Sequence, residues 1–202
     1  QKLHILMASD LTPDVMMLNS FYVPVYAEAH KLLPLQVNSR LHSEQEYYPQ
    51  TTKALSYQNK LYAYPRDVSD LVVYVNLDLL KKNNLARPKN NWRMQDMLKL
   101  AQRIAKTQNT YGISFSDKPL FWLPYVWSNG GSLSQLDSRK SCETLQFSAD
   151  LVNQYHVAPS PKQIGSQGMS QLFSNGQLAF FVSGRWSVPF LRKSANFNWD
   201  VL

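Results

Sequence analysis

The segment at residues 71–84 has the sequence LVVYVNLDLLKKNN. Its first five residues are apolar without interruption, a pattern typical of a strand that is buried on both faces. Residues 77–83 are predicted to form a short helix directly after it. Strands of this kind belong to a parallel or mixed sheet that is covered by helices, so the segment predicts an α/β protein.

The alternation of strands and helices continues on both sides of this segment. Upstream, the pattern predicts helices at residues 2–8, 21–30 and 48–55 and strands at residues 15–18 and 60–64. Downstream, it predicts helices at residues 92–107, 119–128, 138–156, 166–174 and 188–193 and strands at residues 112–115, 178–182 and 197–202. This order strengthens the α/β prediction.

The charge and the spacing of His and Cys residues indicate which partners and cofactors the protein could bind. The 202 residues carry a net charge of +7, but the basic residues are scattered and form no long run, which argues against nucleic acid. The four histidines lie far apart and the only cysteine, Cys142, has no partner at metal-ligand spacing. We therefore expect no metal and no cofactor, and we assign Cys142 to the apolar face of the helix at 138–156.

Several short phrases, in a fixed order, resemble the family of extracellular solute-binding proteins that includes maltose-binding protein. The phrases are Ala8-Ser9, Pro13-Asp14-Val15, residues 32–35, residues 59–65, residues 74–80, Trp92, residues 129–131, Phe173 with Asn175-Gly176, and Gly184-Arg185-Trp186. The resemblance covers nearly the whole chain. It matches only the middle of a family member, so we expect the fold to be incomplete at both ends.

The resemblance implies a periplasmic-binding-protein-like fold of two α/β lobes. Residues 1–65 would be part of the N-terminal lobe, residues 66–70 a hinge crossing, and residues 71–202 most of the C-terminal lobe. Members of the family capture a small molecule between the lobes and deliver it to the membrane subunits of an ABC importer. The implied location is periplasmic or extracellular, with a lipid anchor left open.

The best candidate for ligand binding is Trp186. It follows a predicted strand and a glycine turn, so it should emerge at the carboxyl edge of the sheet, where open α/β sheets bind ligands. The resemblance implies that this tryptophan stacks on a sugar, whereas the alternative is a tryptophan that packs within the lobe. Arg185 stands where proline is common in the family, and it could reach an anionic group.

Phe121 and Trp122 open the helix at residues 119–128, close to the segment that supplies aromatic residues to the cleft in the resembled family. A core position for Trp122 is the alternative, and Trp127 is assigned to the core. Asn129 either lines the cleft or ends the helix.

Four further residues complete the candidate ligand site. Asp67 and Ser69 lie in the predicted hinge, where they either bond the ligand or bond locally in a turn. Asn19 and Tyr22 follow the predicted strand at residues 15–18, and Asn19 is also suited to cap the next helix.

Aromatic side chains beside a few polar groups suit the apolar faces and hydroxyls of sugars. Our leading interpretation is therefore a receptor that binds a carbohydrate or a similar polar small molecule, and not an enzyme. A carbohydrate-processing enzyme would need two carboxylates facing one site, and Asp67 and Asp70 are the only tight acidic pair in the predicted cleft. A domain that serves interaction alone, without a ligand, is the third reading.

Overall fold

The computed structural model of the protein describes residues 2–9, 11–36, 46–89, 91–105, 109–114 and 116–202. The chain divides into two compact units, Gln1–Val68 and Ser69–Leu202. The boundary falls within residues 66–70, but the role of that segment as a hinge stays a prediction. Phe115 and residues 106–107, at the ends of two predicted elements, lie outside the described residues.

The first unit is built from short elements around a small core. Its elements are α1 (Lys2–Ala8), a 3₁₀ turn (Ser20–Tyr22), α2 (Val23–Glu28), α3 (Pro49–Ala54), β1 (Ser56–Tyr57) and β2 (Lys60–Leu61). Val23, Leu55 and Leu61 form its buried apolar cluster. The helices α1 and α3 confirm the predictions at residues 2–8 and 48–55.

Of the two strands predicted in the first unit, one is absent and the other is shorter than predicted. Residues 15–18 form no strand, and Val15 and Met17 are 88% and 76% exposed. The strand predicted at residues 60–64 is only the two-residue β2, which pairs antiparallel with β1. Gln58 and Asn59, which join β1 to β2, both have positive φ (47° and 60°), the combination that a tight type I′ hairpin turn requires.

The second unit contains a four-stranded mixed sheet. Its strands are β3 (Leu71–Asn76), β4 (Tyr111–Ile113), β5 (Leu178–Gly184) and β6 (Trp199–Val201), in the order β4-β5-β3-β6. β3 runs antiparallel to both neighbours, and β4 runs parallel to β5. Every residue of β5 is buried, and the mixed sheet confirms the α/β prediction.

Helices cover both faces of this sheet. They are α4 (Leu77–Lys82), α5 (Met94–Ile104), α6 (Pro119–Ser128), α7 (Arg139–Asn153), α8 (Pro161–Ile164), α9 (Gly168–Ser174) and α10 (Val188–Ser194). In β3, Val73 and Val75 pack in a cluster with α5 and α7, whereas Tyr74, between them, packs with α9 and α10. Successive residues of a strand point to opposite faces, so one apolar run supplies two cores.

The buried face of α7 differs from the predicted one. The fully buried positions are Ser141, Thr144, Ser148 and Leu151, and Cys142 is exposed. Its assignment to the core is therefore wrong. The buried hydroxyls bond to backbone carbonyls, such as Thr144 to Lys140 O (3.0 Å) and Ser148 to Thr144 O (2.9 Å). A small hydroxyl that finds such a partner is buried at little cost.

The assignment of Trp127 to the core is wrong, because this residue is 54% exposed near the end of α6.

None of the helices in the described ranges combines the length and the apolar character needed to cross a bilayer.

Candidate functional site

The second unit contains a cavity of about 280 Å³ between its sheet and the helices α5, α6, α7 and α9. One third of its lining is aromatic, from Phe121, Trp122, Tyr125, Phe147, Phe181 and Trp186. Another third is aliphatic or thioether, from Met94, Met97, Ile113, Leu151, Met169 and Val182. The polar remainder comes from Ser114, Ser116, Lys118, Ser148, Ser170 and Ser183.

Trp186 reaches the cavity because β5 ends in a glycine. A 3₁₀ turn over Arg185–Ser187 follows Gly184 directly, and the indole of Trp186 lies against the backbone of Gly184. A Cβ atom at that glycine would come within 2.1–2.5 Å of three indole ring carbons. Trp186 nevertheless remains 51% exposed, so the indole is held by the strand end without being enclosed in the core.

Two buried hydrogen bonds fix the turn that carries Trp186. The hydroxyls of Ser183 and Ser187 are 2.7 Å apart, and the hydroxyl of Tyr74 donates to the carbonyl of Gly184 at 2.8 Å. Burial raises the pKa of Tyr74, and the nearby charge of Arg185 opposes that rise. Tyr74 therefore stays protonated at neutral pH and keeps its proton for the Gly184 carbonyl.

Phe121 and Trp122 lie on the first turn of α6, which begins with Pro119. Proline suits this position because the first amide groups of a helix have no intrahelical acceptor. The indole Nε1 of Trp122 donates to the carbonyl of Asp117 at 3.0 Å, which fixes the ring at the cavity wall. Phe121 packs against the α5 and α7 side of the core while it lines the cavity.

Tyr125 is a lining residue that the sequence analysis did not select. It follows Phe121 by four residues, so the two share one face of α6. Burial raises its pKa to about 12. The four-residue spacing from Phe121, itself a candidate, already indicates that Tyr125 lies on the same face of α6.

Most polar groups of the lining are already engaged by the protein. Ser114 Oγ accepts from the amide of Val182 at 2.8 Å, and Ser116 Oγ accepts from the amide of Lys118 at 3.3 Å. Ser148 donates to a carbonyl of its own helix. Lys118 is the only charged residue among the described residues of the lining. No three His, Cys, Asp or Glu side chains of the described ranges are placed to hold a metal ion.

Three other candidates of the second unit lie outside the lining. Ser69 Oγ accepts from the amide of Arg185 at 3.2 Å, so these two residues meet across 116 positions of sequence. The side-chain amide of Asn129 donates to Lys140 O and to Thr144 Oγ1, both at 3.1 Å. Asn129 therefore ties the end of α6 to α7.

The candidates of the first unit are held by local contacts. Asp67 forms an exposed ion pair with Arg66, and Asn19 caps the 3₁₀ turn by accepting from the amide of Phe21 at 3.2 Å. The Tyr22 ring meets the His4 ring edge-on, with centroids 5.1 Å apart. The structure thus brings Trp186, Phe121 and Trp122 to one cavity, and the ligand roles of all nine candidates stay predictions.

Solved structures with the same fold include three from bacteria. An ABC substrate-binding protein from Listeria monocytogenes, in complex with cycloalternan, is 26% identical with a TM-score of 0.92, and the match covers 99% of this chain and 54% of that one. A solute-binding protein from Thermotoga lettingae, bound with alpha-D-tagatose, is 20% identical with a TM-score of 0.87, covering 99% and 56%. The GacH receptor of Streptomyces glaucescens, solved unliganded and with acarbose, is 24% identical with a TM-score of 0.84, covering 100% and 54%.

The chain therefore spans little more than half the length of these proteins. A sequence model of one family, described as bacterial extracellular solute-binding protein, matches residues 2–202. This match extends over almost every position, and it agrees with the fold of the three solved structures. The chain belongs to the family of bacterial extracellular solute-binding proteins.

Proposed function

We propose that the protein is the solute-binding receptor of an ABC importer and that it captures a carbohydrate outside the cytoplasm. Its partners would be the membrane subunits of the importer, and residues 66–70 would act as the hinge. Two of the three similar structures are described as ABC transporter components, and each has been solved with a ligand: cycloalternan, alpha-D-tagatose or acarbose.

The observation that carries the proposal is the half-exposed indole of Trp186 in a cavity that it shares with Phe121 and Trp122. Aromatic rings cover the apolar C–H faces of sugars, and such rings held in place before the ligand arrives lose little conformational freedom on binding. The anchoring of both indoles, on Gly184 and on the carbonyl of Asp117, supplies this preorganisation.

The lining of the cavity favours a site that binds a sugar over one that hydrolyses it. Hydrolysis of a glycoside uses two carboxyl groups on opposite sides of the bond that breaks. Among the residues that the structure describes, those that line the cavity include no Asp or Glu. Asp67, one of the two acidic residues of the predicted cleft, is paired with Arg66.

The test is a titration of the purified full-length protein with cycloalternan, alpha-D-tagatose and acarbose, followed by tryptophan fluorescence and by thermal unfolding. A ligand that binds only the folded protein stabilises it by about 2.7 kcal/mol at one hundred times its dissociation constant. We expect Trp186→Ala to weaken the binding of the active sugar about tenfold or more, equivalent to about 1.4 kcal/mol.

Trp127→Ala is the matched control, because Trp127 is as exposed as Trp186 (54% against 51%) but lies outside the cavity lining. It should leave affinity unchanged. Equal losses in the two variants would argue against the cavity as the sugar site. A wide sugar screen without any response would argue against the receptor function itself and would favour a domain that serves interaction alone.

A further inference from the structure

The hydroxyl group of Tyr125 has no hydrogen-bond partner within the described part of the chain. Every fully buried side-chain nitrogen or oxygen there has a partner, so the Tyr125 oxygen must reach accessible space. Tyr125 is half-buried and lines the cavity, and the same burial disfavours the phenolate and raises its pKa to about 12. The oxygen therefore faces the cavity that Tyr125 lines.

The surroundings of Tyr125 in the cavity are largely apolar. Met94 and Met97 of α5, Ile113 of β4 and Leu151 of α7 contribute to the lining. The nearby serines at positions 114 and 148 have their hydroxyls engaged by backbone groups. Each of these hydroxyls keeps part of its hydrogen-bonding capacity, but apolar side chains dominate around Tyr125, so an apolar group with one oxygen suits this lining better than a group rich in hydroxyls.

We propose that this part of the cavity accepts an apolar substituent that carries one oxygen, and that the Tyr125 hydroxyl forms a hydrogen bond with that oxygen. The ligand would then be a glycoside with an O-aryl or O-alkyl substituent rather than a sugar with only free hydroxyls. The inference rests on the proposed function for the sugar to which the substituent is attached, but the pocket for the substituent stands on the geometry of the cavity.

Size and energetics both fit this assignment. Cavities of about 150 Å³ lined by aliphatic and aromatic side chains bind molecules the size of benzene, and this one measures about 280 Å³. A half-buried hydroxyl without a protein partner favours a ligand that pairs with it over an otherwise equal ligand that does not.

Phenol and toluene test the pocket without any sugar, because they share a ring and differ in one hydroxyl. Ligand-observed NMR titrations would compare their affinities for the wild-type protein and for Tyr125→Phe. We expect the wild-type protein to prefer phenol, and the variant to lose about three- to tenfold of that preference, as the deletion of one hydrogen bond predicts. Toluene should bind both proteins equally, and the variant should melt no lower than the wild type.

Tyr155→Phe is the control, because it removes a hydroxyl from a tyrosine that does not line the cavity, and it should leave the preference for phenol intact. The inference is overturned if the wild-type protein binds neither probe, if Tyr125→Phe keeps the full preference, or if that variant melts lower. Each of these results is independent of the sugar screen. A failed screen with phenol selectivity retained would remove the receptor function and keep the pocket.

Discussion

At the scale of single residues, the position of Trp186 depends on the missing side chain of Gly184. The φ angle of Gly184 is −103°, which any residue adopts, so only contact with the indole requires glycine there. We expect Gly184→Ala to displace the indole, to cost about 1–3 kcal/mol of stability and to change the tryptophan emission. Urea unfolding measures the first effect and fluorescence the second.

The same substitution in a Trp186→Ala background provides the control, since contacting residues show coupled effects. Once the indole is gone, the added methyl group has no ring to displace, and the cost should be close to zero. An equal cost in both backgrounds would mean that the glycine serves some purpose other than seating the indole.

Tyr125 gives the second prediction at this scale. Its ordinary pKa is 10.0, which the unfolded chain keeps, and the folded protein raises it to about 12. Between these values the folded state retains the proton that the unfolded state has lost, so stability falls as the pH rises. The contribution is fully present below pH 10 and is lost as the pH passes 12, a change of about 2–3 kcal/mol.

Urea unfolding of the wild-type protein and of Tyr125→Phe at several pH values between 9 and 12 measures this contribution. The stability of the wild-type protein relative to the variant should be constant up to about pH 10 and then decline. Parallel curves over the whole range would contradict the burial of the phenol.

The residues of the candidate site could be predicted only in part. A glycine turn after an apolar strand was enough to predict that Trp186 lies at a strand end. The bond between Ser69 and the amide of Arg185 joins residues 116 positions apart, and no local pattern encodes such a contact. Tyr125 could have been found from its spacing to Phe121, because residues four apart share a helix face.

At the scale of elements, α7 shows where periodicity alone was misleading. Sequence spacing favoured the face with Cys142, whereas the buried face is polar in composition and begins at Ser141, which is 0% exposed. The hydroxyl of Ser141 donates to Gln135 O at 2.9 Å, and a Cβ atom at Gly131 would be only 2.5 Å from its Oγ. Small hydroxyl residues let two segments approach closely. They are buried for their size, so a pattern of apolar residues does not identify them.

The same substitution at two adjacent positions tests which face is buried. We expect Ser141→Leu to lower the free energy of unfolding by about 1–3 kcal/mol or more, because the larger side chain overpacks a closed contact and the hydroxyl bond is lost. Cys142→Leu should change it by less than about 0.5 kcal/mol, as an exposed position allows. Urea unfolding of both variants measures the two losses. A larger loss for Cys142→Leu than for Ser141→Leu would mean that the face predicted from the sequence is the buried one.

At the scale of the whole molecule, the two units differ in how much the sequence could specify. The second unit rests on long apolar runs, such as the fully buried β5, which predict strands directly. In the first unit β1 and β2 have two residues each, too few for any periodic pattern. Their pairing comes instead from the turn at Gln58 and Asn59, which the sequence analysis did not identify.

This difference predicts unequal local stability. Among the described residues, the apolar cluster of the first unit has three buried members, whereas β3 and β5 of the second unit lie between two larger clusters. Hydrogen exchange should therefore protect the amides of Leu71–Asn76 and Leu178–Gly184 up to global unfolding, and those of Ser56–Tyr57 and Lys60–Leu61 should exchange by local opening, orders of magnitude faster. Mass spectrometry of peptides from both units measures the rates within one sample. Uniform protection across all four strands would show that the two units unfold as one, which the small core of the first unit argues against.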